Sequence, residues 1–90
     1  MTNVSKKGSL LNSRKMPEFH IDIDKSGRAL SFFCSAVKVI SELSDEKIVL
    51  RLASFSVSVF GEKLNISVFV NRAVQINGKI LEVKFFYGEN

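Results

Sequence analysis

The sequence predicts an all-β protein that folds as a single small domain. From residue 18 onward, apolar and polar residues alternate, which is the period of a strand with one buried and one solvated side. The apolar residues are mainly Val, Ile, Leu and Phe, which suit the pleated surface of a sheet. A chain of 90 residues supplies one hydrophobic core. We therefore predict about seven to eight short strands in an antiparallel sandwich or roll, with a short β-solenoid as the alternative.

The amino-terminal segment differs from the rest of the chain in composition. Residues 1–17 contain four Lys or Arg and no Asp or Glu, show no helical or strand periodicity, and end at the only proline, Pro17. We predict a flexible basic leader over 1–17 and an all-β domain over 18–90. The domain has nine basic and nine acidic residues, so the net charge of +4 comes from the leader.

The first predicted strands are short alternating runs. Residues 20–24 (HIDID) place two isoleucines on one face and polar residues on the other, and residues 25–27 (KSG) supply a turn. Further extended segments are predicted over 29–34, 37–43 and 48–52, with a turn at 44–46. A helix over 36–52 is the competing interpretation. It lacks a continuous apolar stripe, and its β-branched residues favour strands.

Three turn signals punctuate the second half of the chain. They are Gly61-Glu62, Asn71-Arg72 and Asn77-Gly78. Asn-Gly between alternating runs is a strong hairpin signal, because both residue types tolerate positive φ. We therefore predict tight turns at all three places.

An internal repeat aligns the two glycine-containing runs. Residues 57–69 match residues 74–86 at a spacing of 17, with Gly61 over Gly78 and apolar residues in common positions. We interpret the repeat as two similar hairpins of an antiparallel sheet. Two stacked rungs of a β-solenoid are the alternative, since stacked neighbours share side-chain identity.

Three phenylalanines form the candidate interaction surface. Phe60, Phe69 and Phe86 have the opposite parity from the apolar residues of their own strands, so they should project from the other face. A bend, a bulge or a second sheet would bury them. Otherwise they form an exposed aromatic patch that a partner or a second copy covers. Open strand edges offer a further route to assembly.

The residue inventory gives little material for catalysis or for cofactor binding. Cys34 lies among apolar residues and His20 is the only histidine, so neither a nucleophilic pair nor a Cys/His metal site is predicted. Asp22 and Asp24 share a strand face, and we interpret them as its solvated side rather than as an acid and base pair. The glycines are isolated, so no phosphate-binding loop is predicted. We predict no enzyme activity, no cofactor and no metal.

Binding of single-stranded nucleic acid is the main alternative function. A small β-barrel with exposed phenylalanines and a basic arm is typical of such proteins. Stacking platforms also need basic residues among the aromatic ones, and here only Lys63 and Lys84 lie close to them in sequence. We therefore expect nucleic-acid binding to be the weaker hypothesis.

The sequence also bears on localisation. The amino-terminal residues have only Leu10-Leu11 where a secretion signal needs a longer apolar stretch. No apolar run is long enough to span a bilayer as a helix. We expect the protein to stay in the cytoplasm where it is made.

An ordered set of landmarks between residues 20 and 87 resembles the YabP/YqfC family of bacterial sporulation proteins. The landmarks are the opening strand HIDI at 20–23, the segment LSFFCSAVK at 30–38, the acidic turn and strand LSDEKIVL at 43–50, the glycine element VSVFGEKLNI at 57–66, and the closing element VQINGKI at 74–80 with Phe85. Ala36, Leu52 and Phe55 depart from the family pattern. Ala36 stands where a glycine is usual.

The resemblance implies a non-enzymatic protein of the mother cell of an endospore-forming bacterium. Its expected role is assembly of the spore envelope, the coat or the cortex, through other envelope proteins or through self-association. No family ligand or catalytic residue can be transferred to this chain by the resemblance.

Overall fold

The protein is an open antiparallel sheet of six strands. A computed structural model describes residues 17–87, and no helix occurs within this range. The strands are β1 (Phe19–Ile23), β2 (Ala29–Cys34), β3 (Val39–Leu43), β4 (Lys47–Arg51), β5 (Phe55–Val70) and β6 (Ala73–Tyr87). Their order in the sheet is β1-β2-β6-β5-β4-β3. The prediction of an all-β fold with antiparallel strands is therefore confirmed, whereas the leader predicted over 1–17 lies outside the described residues except for Pro17.

One long hairpin replaces the two short hairpins that the sequence predicted. β5 and β6 pair along almost their whole length and turn once, at Asn71-Arg72, as predicted. The turns predicted at Gly61-Glu62 and Asn77-Gly78 are wrong, because both sites lie inside strands. The described chain consequently has six strands instead of seven or eight. The solenoid alternative is also wrong, because every neighbouring pair of strands is antiparallel.

The two glycines that suggested turns instead allow β5 and β6 to approach each other at irregular points of the ladder. The register shifts on both sides of Gly61, and such bulges bend the strands that carry them. A Cβ atom on Gly61 would overlap the carbonyl oxygen of Lys79. A Cβ atom on Gly78, whose φ is +136°, would lie 2.6 Å from the carbonyl oxygen of Lys63. Glycine is therefore needed here for close approach.

The long hairpin explains the internal repeat, because its two strands carry equivalent partners. The first unit comprises β1, β2 and residues 74–80 of β6, and the second unit comprises β3, β4 and residues 56–60 of β5. The core pairs Phe32 with Ile76 and Cys34 with Val74 in the first unit, and Ile48 with Val59 and Leu50 with Val57 in the second. The repeat copies are thus the two strands of one hairpin rather than two hairpins.

The sheet bends so that its apolar faces enclose one core. The eight side chains of the four core pairs are all buried, and they join Val37, Leu52, Leu64 and Ile80 in a single cluster. Phe19, on the edge strand β1, reaches the open end of the long hairpin, where its ring centre lies 5.2 Å from that of Phe85 and 6.2 Å from that of Phe55. The bend therefore brings β1 against the end of the long hairpin that lies next to the second unit.

Short connections fix how the hairpins are placed. The Ser44 hydroxyl accepts hydrogen bonds from the N–H groups of Glu46 and Lys47, which forms the turn predicted at 44–46. From this turn, the carbonyl of Glu46 accepts a hydrogen bond from the N–H of Gly61 at 3.0 Å. The N–H of Val37 donates to the carbonyl of Arg72 at 2.9 Å. The β3–β4 turn and the β2–β3 connection are therefore both tied to the long hairpin. The helix considered for 36–52 does not occur.

Candidate interaction surface

Phe60 lies on the outer face of the second unit. It is opposite Glu82 of β6 and Lys47 of β4, and residues that face each other in an antiparallel ladder share a side of the sheet. The Nζ atoms of Lys47 and Lys84 lie 5.5 Å and 5.8 Å from the centre of its ring. These are cation–π distances, and the two lysine side chains partly cover the ring. Phe60 is consequently half-buried rather than freely exposed.

Phe86 lies on the same outer face as Phe60, and 54% of it is exposed. It is opposite Ser56 in the ladder. Phe86 and its neighbour Tyr87 border an open groove of about 410 Å³ whose other walls include Val49 and Arg51 of β4. The structure thus places two of the three predicted phenylalanines on one face, with a groove beside the more exposed of them.

Phe69 does not share that face. The register of β5 shifts between Ile66 and Val68, so Ser67 is an extra residue that reverses the parity of the following side chains. Phe69 therefore faces Val74, a core residue, although it is 56% exposed near the end of the hairpin. The predicted common face holds for Phe60 and Phe86 and is wrong for Phe69. Interaction through the three rings remains a prediction.

An aromatic cluster that the sequence analysis missed lies where the bent sheet closes. Phe55 is 5.0 Å from Tyr87 and 6.2 Å from Phe85 between ring centres, and Phe19 joins them from β1. Tyr87 is 75% exposed, so the cluster opens to solvent. Phe19 directly precedes the predicted first strand. Its alternation with Ile21, which places both side chains on one face, was the sequence signal that could have indicated its membership of the cluster. The contact of Phe19 with Phe55 and Phe85 depends on the bend of the sheet, which no local sequence pattern predicts.

Two segments of the long hairpin have a free edge among the described residues. β4 pairs with β5 only as far as Phe60, and β2 pairs with β6 only as far as Ile80. Beyond those points, residues 65–70 of β5 and 81–87 of β6 have a neighbour on one side only. Each free edge leaves a row of backbone N–H and C=O groups that can pair with another strand. Exposed apolar side chains occur along both segments: Val68, Phe69 and Val70 on β5, and Leu81, Phe85, Phe86 and Tyr87 on β6.

Four charged side chains around Phe60 form two ion pairs. Lys47 lies 3.4 Å from the Glu42 carboxylate, and Lys84 lies 3.7 Å from that of Glu82, measured from Nζ to the nearer oxygen. All four side chains are substantially exposed, so each pair contributes little to stability. The pairs do balance the charge around Phe60.

The residues considered for chemistry lie apart. His20 is opposite Phe33, and the centres of their rings lie 5.5 Å apart. Cys34 instead faces the core, so His20 and Cys34 lie on opposite sides of the sheet. Burial raises the pKa of the Cys34 thiol to about 11, which disfavours the reactive thiolate. His20 is therefore not placed to act as a base on the sulfur atom of Cys34.

The two aspartates serve the β1–β2 hairpin. Asp22 accepts a hydrogen bond from the Ser31 hydroxyl at 2.9 Å. Asp24 accepts from the Ser26 hydroxyl and from the N–H groups of Ser26 and Arg28, which closes the turn predicted at 25–27. The hydrogen bond from the Ser26 hydroxyl and that from Arg28 N–H lower the pKa of Asp24, because they stabilise the carboxylate.

Residues 17–87 contain no group of three His, Cys, Asp or Glu side chains that lie closely enough together to hold a metal ion. The same residues contain no helix with the length and apolar character needed to cross a membrane.

Comparison of the chain with protein-family models, with curated proteins and with solved structures finds no match.

Proposed function

We propose that this protein is a non-enzymatic interaction module that helps to assemble the spore envelope, in the coat or the cortex, of an endospore-forming bacterium. The observation that carries the proposal is the combination, within residues 17–87, of exposed apolar side chains with two strand edges of the long hairpin that have no neighbour. Exposed apolar patches and unpaired edges are the two surface features by which β proteins most readily join other chains. The partners are other envelope proteins or further copies of the chain.

The resemblance to the YabP/YqfC sporulation proteins gives the proposal its cellular setting. One backbone feature supports that resemblance. Ala36, which stands where the family usually has glycine, has a φ of +61°, a conformation that glycine adopts at little cost. A glycine at this position in relatives would suit the same connection between β2 and β3. The proposed location is the mother-cell cytoplasm, at the surface of the forespore.

The proposal is tested with a fluorescent fusion in a sporulating host. We expect expression during sporulation and a fluorescent shell around the forespore. A Phe60→Ser/Phe86→Ser variant should become diffuse, because it removes the two rings that share the outer face. Leu43→Ser, which changes an exposed leucine on β3, is the matched control and should still localise. Expression confined to vegetative growth, or wild-type fluorescence that stays uniform, would contradict the proposal.

Binding of single-stranded nucleic acid is a second candidate because two lysines flank Phe60. Lys47 comes from a different strand, so the sequence did not associate it with this ring. Both lysines also have a glutamate partner, which lowers the positive potential that a phosphate backbone would meet. The two functions are distinguished by retention on immobilised single-stranded DNA and RNA at increasing salt. Salt-dependent retention that is lost in Lys47→Ala/Lys84→Ala would favour nucleic-acid binding.

A further inference from the structure

We infer that the β3–β4 turn of one copy of the chain docks in the groove beside Phe86 of a second copy, with the carboxylates of Asp45 and Glu46 against the guanidinium of Arg51. The turn and the groove are different surfaces, so each copy can use both at once and the copies join head to tail. The inference rests on the proposed function, because it specifies self-association as the means of assembly.

The groove favours an acidic partner. Arg51 is the one charged residue among those that line it, and it forms no ion pair with any carboxylate of residues 17–87. Lys47 and Lys84, which flank Phe60 nearby, each have a glutamate partner. A guanidinium group can bind a carboxylate through two parallel N–H···O bonds. The groove therefore offers its free cation to a carboxylate from another chain.

The serine hydroxyls around the groove support the same conclusion. In the described part of the chain, every serine away from the groove takes part in a side-chain hydrogen bond: Ser26, Ser31, Ser35, Ser44 and Ser67. Ser41, Ser54 and Ser56 line the groove and take part in none with the described residues. The same holds for Ser58, which shares the face of Ser56, is opposite the lining residue Val49 and is only 5% exposed. A buried hydroxyl without a partner costs free energy, so this site favours a partner rich in acceptor atoms.

The aromatic wall of the groove favours a protein partner over a small molecule. Phe86 and Tyr87 are both substantially exposed, so the groove is too open to enclose most of a small ligand, as binding pockets do. Tyr and Arg are among the residue types that contribute most to protein interfaces. The two rings can pack against the backbone of a turn and the methylene groups of a glutamate, and the Tyr87 hydroxyl can donate to a carboxylate.

The β3–β4 turn presents such carboxylates in a fixed position. Asp45 and Glu46 are exposed, and neither side chain forms an ion pair within the described residues. Their carbonyl oxygens accept hydrogen bonds from the N–H groups of Leu64 and Gly61 at 2.8 Å and 3.0 Å, which holds the turn against the long hairpin. A segment that is already ordered loses little conformational freedom when it binds. The turn is therefore a preorganised acidic surface that complements the groove.

The turn and the groove lie at opposite ends of β4. The turn directly precedes Lys47, the first residue of this strand, and Arg51 is its last residue. A strand rises about 3.3 Å per residue, so Glu46 and Arg51 are separated by about 17 Å along β4. The turn cannot reach the groove of its own chain, and the contact therefore requires a second copy. A contact between two different surfaces leaves one of each free on every pair, so it propagates into a longer assembly.

The test is sedimentation velocity of the full chain over a range of concentrations at low salt. The average size of the wild type should keep rising with concentration beyond that of a dimer. Arg51→Glu disables the groove, and Asp45→Asn/Glu46→Gln disables the turn, so each variant alone should associate at least about tenfold more weakly. An equimolar mixture of the two variants retains one intact turn and one intact groove. It should form a dimer that does not grow further.

Lys25→Glu and Glu18→Gln are the matched controls. They make the same charge changes at exposed side chains of the first unit and its approach, and they should assemble as the wild type does. Circular dichroism verifies that every variant is folded. The inference is overturned by a wild type that stays monomeric or stops at a dimer, by groove or turn variants that assemble normally, or by a mixture that does not give the dimer. Forespore localisation is measured separately, so it can hold through other envelope proteins even where this contact fails.

Discussion

The first and second units have nearly the same ladder but are assembled from different stretches of sequence. In each, a two-stranded hairpin adds to one strand of the long hairpin, and four apolar side chains per unit are fully buried. The second unit is continuous, from β3 through β4 into the start of β5. The first unit joins β1 and β2 to a strand that follows about 40 residues later in the chain. Equivalent packing is thus reached by local contacts in one unit and by distant contacts in the other.

This difference predicts an order of folding. Contacts close in sequence cost less chain entropy to form than distant ones, so we expect the second unit to form first and the first unit to join it later. The glycines at the bend connect the two steps, since they let the long hairpin serve both units.

The largest effect is expected at the bend, where the two units depend on the same backbone. Gly61→Ala and Gly78→Ala should each lower the free energy of unfolding by more than about 4 kcal/mol, because a Cβ atom at either site meets the backbone of the facing strand. Urea unfolding followed by circular dichroism measures the loss.

Gly27→Ala is the control for the bend variants. Gly27 also has a positive φ, +86°, but no atom lies within 4 Å of an added Cβ. Gly27→Ala should lower the free energy of unfolding by about 1 to 2 kcal/mol, which is the strain of the left-handed conformation alone. Equal losses at all three glycines would contradict the interpretation that close approach determines Gly61 and Gly78.

A pair of isoleucine substitutions tests the folding order. Ile48→Ala in the second unit and Ile76→Ala in the first remove the same buried side chain, and each should cost about 2 to 5 kcal/mol. Stopped-flow measurements should show that Ile48→Ala mainly slows folding and Ile76→Ala mainly speeds unfolding. The reverse pattern would place the early contacts in the first unit.

The smallest expected effect is on the pH dependence of stability. It arises at Cys34 and not at Leu50, its equivalent in the second unit, because the leucine side chain does not titrate. The folded state holds the Cys34 thiol proton to a pKa of about 11, whereas the ordinary value is 9.0. Between these values the unfolded chain loses the proton first, so stability falls as pH rises through this window and is unaffected by this group below it. Other groups titrate there as well. The measurement is therefore the slope of the free energy of unfolding against pH, compared between the wild type and Cys34→Ala. Equal slopes would contradict the prediction.

The local pattern of the sequence was sufficient to predict most strands and the turns at which the chain does reverse. The strand over 29–34, the turns at 25–27 and 44–46 and the turn at Asn71-Arg72 follow from alternation and from residues that tolerate turn geometry. The same rule was wrong at Gly61 and Gly78, where glycine is required for a different reason. A glycine that reverses the chain and a glycine that admits a facing carbonyl look alike in sequence, because the facing strand is distant.

The surface was harder to predict than the strands. Parity placed Phe60 and Phe86 correctly, but one extra residue, Ser67, reversed it for Phe69. The lysine that covers Phe60 comes from β4, and Phe19 reaches Phe85 only because the sheet bends. Each error arises where a side chain's surroundings are set by a register between separate strands. Periodicity within one strand carries no information on that register.

The long hairpin also determines how this protein can change over evolutionary time. β5 starts in the second unit and ends beside the first, and β6 does the opposite, so the two units are interlocked through the strands that they share. Neither could be inherited or lost alone, and a truncation within either strand damages both. Insertions would be tolerated best at the solvent-facing turn around Gly27, where no atom lies within 4 Å of an added Cβ. Diversification should therefore proceed by lengthening this turn and by altering side chains on the outer face, with the interlocked framework retained whole.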